Sequence, residues 1–182
     1  MIPEFYERDE SGMPSKWLGR IRESMARLTP EFSATRAICE YTEDHYLPAA
    51  SGYRDRAADD GALGLSLLRW KQDLDRHWNT VRFGSVKSET HDGEHFFQAE
   101  ISPGALTRDQ LQVELYADSM HGGMPSIEVM TAPEPCPDSP GVLTYSTHVS
   151  ATRPASDYTA RIVPHHLNAF VPLEADQIVW QR

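Results

Sequence analysis

The hydrophobic pattern changes period once along the chain. Over residues 14–78 the apolar positions recur three and four apart. Trp17, Ile21, Met25 and Leu28 fall on one helical face, and Ile38, Tyr41 and His45 continue a second. Ser33 is a good N-cap for that second helix, because its hydroxyl can accept a free backbone N–H. Pro30 precedes this helix and Pro48 is expected to stop it, with "AASGY" as a hinge. A third helix gathers Leu63, Leu67, Trp70, Leu74 and Trp78, its first turns weakened by Gly61 and Gly64. Asp59 and Asp60 suit its N-terminus electrostatically.

From Asn79 the period becomes two. "TVRF", "FQAEI", "LQVEL", "IEV" and "TARIV" alternate apolar and polar residues. Short strands are also expected near Val142–Val149 and Gln177–Trp180. "HDGEH", "SPGALTRD", "HGGMP" and "PDSPG" separate them as turns. The pattern predicts an α+β chain: two to three N-terminal helices, then an antiparallel β-sandwich of about seven strands, immunoglobulin-like in type. The expected division is a helical segment over 1–50, a connecting helix over 51–78 and a sandwich over 79–182.

Composition narrows the function classes. Hydrophobic residues make up 40% and charged residues 24%, which fits a folded protein. The formal net charge of −10 argues against nucleic acid and anionic membranes as partners. No apolar run approaches the roughly 20 residues needed to span a bilayer. "MIPEFYERDE" lacks the features of a signal peptide. The two cysteines, Cys39 and Cys136, read as reduced thiols of a cytoplasmic protein.

The first fifty residues carry a family resemblance. Phe5, Tyr6, Arg8, Asp9, Gly12, Pro14 and Trp17 match an "FY.RD..G.P..W" pattern. Phe32, Ser33, Arg36, Glu40 and Tyr41 match an "FS..R...EY" pattern. Together they resemble the end of the catalytic region of α-glucan (glycogen/starch) phosphorylases. The closing "RPASDYTARIVPHHLNAFVPLEADQIVWQR" resembles the C-terminal extension of the bacterial and archaeal branch. The resemblance implies a parent enzyme that uses pyridoxal phosphate to phosphorolyse α-1,4-glucan to glucose 1-phosphate. No stretch here resembles that family's cofactor-lysine motif, "NGALTIGTLDGANVE". Lys16, Lys71 and Lys87 are the only lysines, and no Gly-rich phosphate loop is present. The chain by itself is therefore expected to be inactive and to bind no cofactor. Its partners would be the catalytic domains of the parent, with a homodimer through bared helical faces as a further expectation.

Other constellations are weaker. His91, Glu94 and His95 lie together in "HDGEH", but three ligands in one tight turn rarely converge on a metal. His165 and His166 are adjacent on an extended segment and point to opposite faces. An alternative reading is a carbohydrate-binding module, in which an exposed aromatic stacks on a pyranose ring and a neighbouring polar group takes its hydroxyls. Tyr116, Asp118, His121 and Trp180 are the candidate contacts. The competing view is that Tyr116 and Trp180 rim the core.

Overall fold

A computed structural model describes residues 2–120, 122–131, 134–135 and 141–181. The chain divides into two compact units, Met1–Ala58 and Asp59–Arg182.

The first unit is helical: α1 (Ile2–Tyr6), α2 (Ser15–Glu31), α3 (Ala34–Tyr41) and the start of α4 (Leu47–His77). Its family-patterned residues build the turns. The Asp9 carboxylate accepts from the backbone N–H groups of Ser11 (3.0 Å) and Met13 (2.9 Å), and from the hydroxyls of Ser11 and Ser15. Those bonds, the Ser15 hydroxyl first, hold its carboxyl far below the ordinary range. Gly12 sits at φ +78° in this turn, where an L side chain would be strained. Pro14 then leads into α2, and Trp17 packs edge-on against Phe5 with ring centroids 5.6 Å apart. Ser33 caps α3 as its chemistry requires, its Oγ accepting from Arg36 N at 3.2 Å.

Two boundaries differ from expectation. Pro30 lies within the last turn of α2. Pro48 does not end a helix. The preceding turn, Thr42–Tyr46, is a π-turn in which Leu47 N–H bonds to Thr42 O, five residues back. Such a widened turn relieves the clash a proline ring makes with the carbonyl four residues earlier, so the chain runs on into α4 through "AASGY". Within α4, Asp59, Asp60 and Gly61 have φ of +50°, +55° and +79°. The two aspartates therefore occupy left-handed backbone, which costs an L-residue roughly 1–2 kcal/mol.

Among its described residues the second unit holds the remainder of α4 and eight strands: β1 (Arg82–His91), β2 (Glu94–Ser102), β3 (Leu111–Ala117), β4 (Ser126–Val129), β5 (Glu134–Pro135), β6 (Leu143–Ser150), β7 (Tyr158–Pro164) and β8 (Val179–Trp180). They form two antiparallel sheets, ordered β1-β2-β6-β5 and β4-β3-β7-β8. The β1–β2 hairpin turns on Asp92 (φ +49°) and Gly93 (φ +82°), the two positive dihedrals that a two-residue type I′ turn demands. Period two sorts the faces. Phe97, Ala99 and Ile101 of β2, Leu111, Val113 and Leu115 of β3, and Ala160 and Ile162 of β7 are all buried in one core. Trp70 and Leu74 of α4 join that core, with Leu74 fully buried. Lys71 Nζ donates to Glu174 O (3.0 Å) and Gln177 Nε2 to Asp75 Oδ1 (3.1 Å), tying this stretch of helix to the sandwich.

Candidate functional site

Antiparallel register places paired residues on one face of a sheet, and this assembles a cluster on the outer face of the second sheet. Val129, Glu114, Arg161 and Trp180 form one row across four strands, and Ile127, Tyr116 and Thr159 form the next. Arg161 is the hub. Its guanidinium donates to Glu114 Oε2 through Nε (2.7 Å) and Nη2 (2.6 Å), and the other Glu114 oxygen accepts from Gln112 Nε2 at 2.7 Å. The guanidinium carbon lies 4.8 Å from the centre of the Tyr116 ring and 5.5 Å from that of Trp180. The two rings meet edge to face, 5.5 Å apart at 82°. Tyr116 Oη donates to Asp118 Oδ1 at 2.9 Å, a bond that raises the phenol's pKa.

Three of the four expected sugar contacts thus come together, and His121 lies outside the described residues. What they form is a cage around an ion pair. The Glu114 side chain is only 9% exposed and that of Arg161 17%. The guanidinium lies over both rings, and the rings stand nearly perpendicular to each other. Arg161 went unnoticed in the sequence, although it is the only charged residue in "TARIV" and stands at the outward position of that strand.

The histidines of the other motifs have separate partners. His95 is buried, with Nδ1 2.7 Å from Thr90 Oγ1 and Nε2 2.9 Å from Arg153 O. His165 Nδ1 lies 3.1 Å from Asp109 O, whereas the His166 ring packs on Trp70 with centroids 5.4 Å apart. Among the described residues no three metal-ligating side chains converge.

The helical unit presents a second candidate surface. None of its described residues is buried. Met25, Leu28 and Phe32 of α2 and its C-terminus, Ile38 and Tyr41 of α3, and Tyr46, Leu47 and Tyr53 beyond are each at least half exposed. Within the "FS..R...EY" pattern the roles divide. Ser33 caps, Arg36 and Glu40 pair at 2.9 Å, and the two aromatics face solvent, Phe32 at 79% and Tyr41 at 57% exposure. The polar residues of the pattern are used within the unit, and its apolar residues are left uncovered.

The chain is similar to known proteins. The family model described as glycogen phosphorylase C-terminal domain matches residues 78–182. A glycogen phosphorylase of Mycobacterium tuberculosis is 31% identical over 88 residues, 48% of this chain and 10% of that protein. One from Aquifex aeolicus is 39% identical over 46 residues, 25% of this chain and 7% of that protein. A maltodextrin phosphorylase of Thermococcus litoralis is 21% identical over 172 residues, 91% of this chain and 20% of that protein. The chain thus spans a fifth or less of the length of these relatives.

Proposed function

Because the chain belongs to the glycogen phosphorylase C-terminal domain family, we propose that it acts as the C-terminal region of an α-glucan phosphorylase, with its helical unit docking on the catalytic domains. The observation that carries this is the helical unit itself. None of its described residues is fully buried, while large aromatic and aliphatic side chains stand exposed on consecutive elements. An apolar surface of that extent marks an interaction site. The parent reaction under this reading is phosphorolysis of α-1,4-glucan to glucose 1-phosphate, carried out in the cytoplasm. The sandwich is an accessory domain. Its strand order supports an immunoglobulin-like class with a fourth strand added to the second sheet.

The lysines present do not fit a pyridoxal phosphate site. Lys16 is paired with Glu7 at 2.8 Å, Lys71 donates to the Glu174 carbonyl, and Lys87 is exposed on β1. The cofactor belongs to the parent enzyme's catalytic domains, and no catalytic step is assigned to this chain. The experiment is an assay of glucose 1-phosphate formation from glycogen and phosphate. The purified chain alone should give none. Addition of the catalytic region of a related phosphorylase, produced without its own matching C-terminal part, should raise that region's activity. Activity of the chain alone, or no response on mixing, would contradict the proposal.

A second reading, a carbohydrate-binding sandwich, rests on the grouping of Tyr116, Asp118 and Trp180. Calorimetry with maltoheptaose tests it, with Trp180→Ala as the variant that should weaken binding. A third, self-association through the exposed helices to form a homodimer, is tested by sedimentation of the chain alone.

A further inference from the structure

Each sheet of the sandwich ends in two edge strands, and an edge strand presents unpaired N–H and C=O groups. Among the described residues three of the four edges are blunted. β4 is four residues long, β8 is two, and β5 is two and ends in Pro135, which has no N–H to offer. The fourth edge, β1, runs ten residues, contains no proline and pairs on one side, with β2. A bulge between Phe83 and Val86 interrupts its first half, and the register is regular from Val86 to His91.

The register with β2 sorts the side chains of this stretch. Val86, Ser88 and Thr90 lie opposite Ala99, Phe97 and His95, all buried, and therefore face the interior of the sandwich. Lys87 and Glu89 lie opposite Gln98 and Phe96, on the outer face. Lys87 is exposed and has no ion-pair partner among the described residues. Glu89 is exposed too, with His91 Nε2 of the same strand 3.8 Å away. A lone lysine on an edge strand ordinarily turns another strand away. Here a carboxylate follows two residues later on the same face, and that spacing is self-complementary.

A twofold axis through an antiparallel strand pair requires one residue to face its own copy. A pair centred on Lys87 or on Glu89 sets like charges opposite each other, which is destabilising. A pair centred on Val86 runs into the bulge. A pair centred on Ser88 sets Lys87 of each copy opposite Glu89 of the other, and Val86 opposite Thr90. Opposite charges then meet on the outer face and β-branched side chains on the inner one, both favourable cross-strand pairs. We propose that two copies of this chain pair through β1 in this register, joining their β1-β2-β6-β5 sheets into one continuous sheet. The pairing does not depend on the docking role of the helices and uses none of their residues.

The test is sedimentation equilibrium of the full chain carrying Leu28→Glu and Ile38→Glu, so that association through the helices is already weakened. Physiological salt screens the net charge of −10. A monomer–dimer equilibrium is expected. Lys87→Glu or Glu89→Lys alone should weaken it about tenfold, since two facing pairs change from opposite to like charge. Both sites are exposed, so Tm should hold. An equimolar mixture of the two single variants should restore dimers, because each copy then meets opposite charges, and the exchange of both residues in one chain should restore them as well. Hydrogen exchange over Val86–Thr90 should slow as concentration rises. A monomer at every concentration, single variants that associate as well as their parent, or a mixture that stays monomeric would overturn the proposal. Slowing of Val86–Thr90 only when the catalytic region of a related phosphorylase is added would assign the edge to that region, and would overturn it too.

Discussion

Replacing Arg161 with Met tests whether the outer-face cluster is structural. The substitution keeps an unbranched apolar stem beside Tyr116 and Trp180 but strands the Glu114 carboxylate, whose side chain is 9% exposed. Breaking a buried pair from one side costs about 3–5 kcal/mol. Gln112 still donates to Glu114, which puts the cost at the lower end. Arg161→Met should therefore lose about 3 kcal/mol at pH 7, or roughly 10–15 °C of Tm for a unit of this size. Arg161→Met with Glu114→Leu should recover most of the loss, because removing both partners leaves no orphan charge. Urea unfolding at pH 7 measures this. A loss below about 1 kcal/mol at pH 7, or a double variant as unstable as the single, would refute the reasoning.

Other consequences are as direct. A Cβ at Gly104, where φ is +64°, would lie 2.0 Å from Thr80 Oγ1 and 3.0 Å from the Thr80 carbonyl carbon. Gly104→Ala should cost more than about 2 kcal/mol in urea unfolding, since the left-handed backbone alone costs an L-residue about 1–2 kcal/mol. Asp9 has its folded pKa depressed from 3.8, so the support it gives the α2 entry is present above that value and fades as pH falls through the lower, folded one. A carboxyl NMR titration should find its midpoint below 3.8, and a midpoint at or above it would remove the cap. Leu28→Glu with Ile38→Glu should change the unfolding free energy of the free chain by less than about 0.5 kcal/mol, because neither side chain is buried. Sedimentation velocity on the same variant should show less concentration-dependent association than the native chain.

The core was legible because it follows local periodicity. Leu111, Val113 and Leu115 alternate with polar neighbours, and Trp70 and Leu74 are four apart on a helix. All five are buried. Ser33 was legible because its capping hydrogen bond is local. Pro48 was misread because the relief comes from the π-turn before it, a backbone adjustment with no residue signature. Ile127 and Val129 alternate as well as any core strand, yet they are exposed on the outer face, since period two gives the repeat and not the side. The Glu114–Arg161 pair spans 47 positions in sequence and is made by register alone.

The most direct test of the docking claim is hydrogen exchange on the full chain with and without the catalytic region of a related α-glucan phosphorylase. The account predicts protection over α2, α3 and the first half of α4, lost in Leu28→Glu with Ile38→Glu. Unchanged exchange throughout those helices in the presence of a catalytic region shown to be folded would contradict it, as would protection confined to the two sheets.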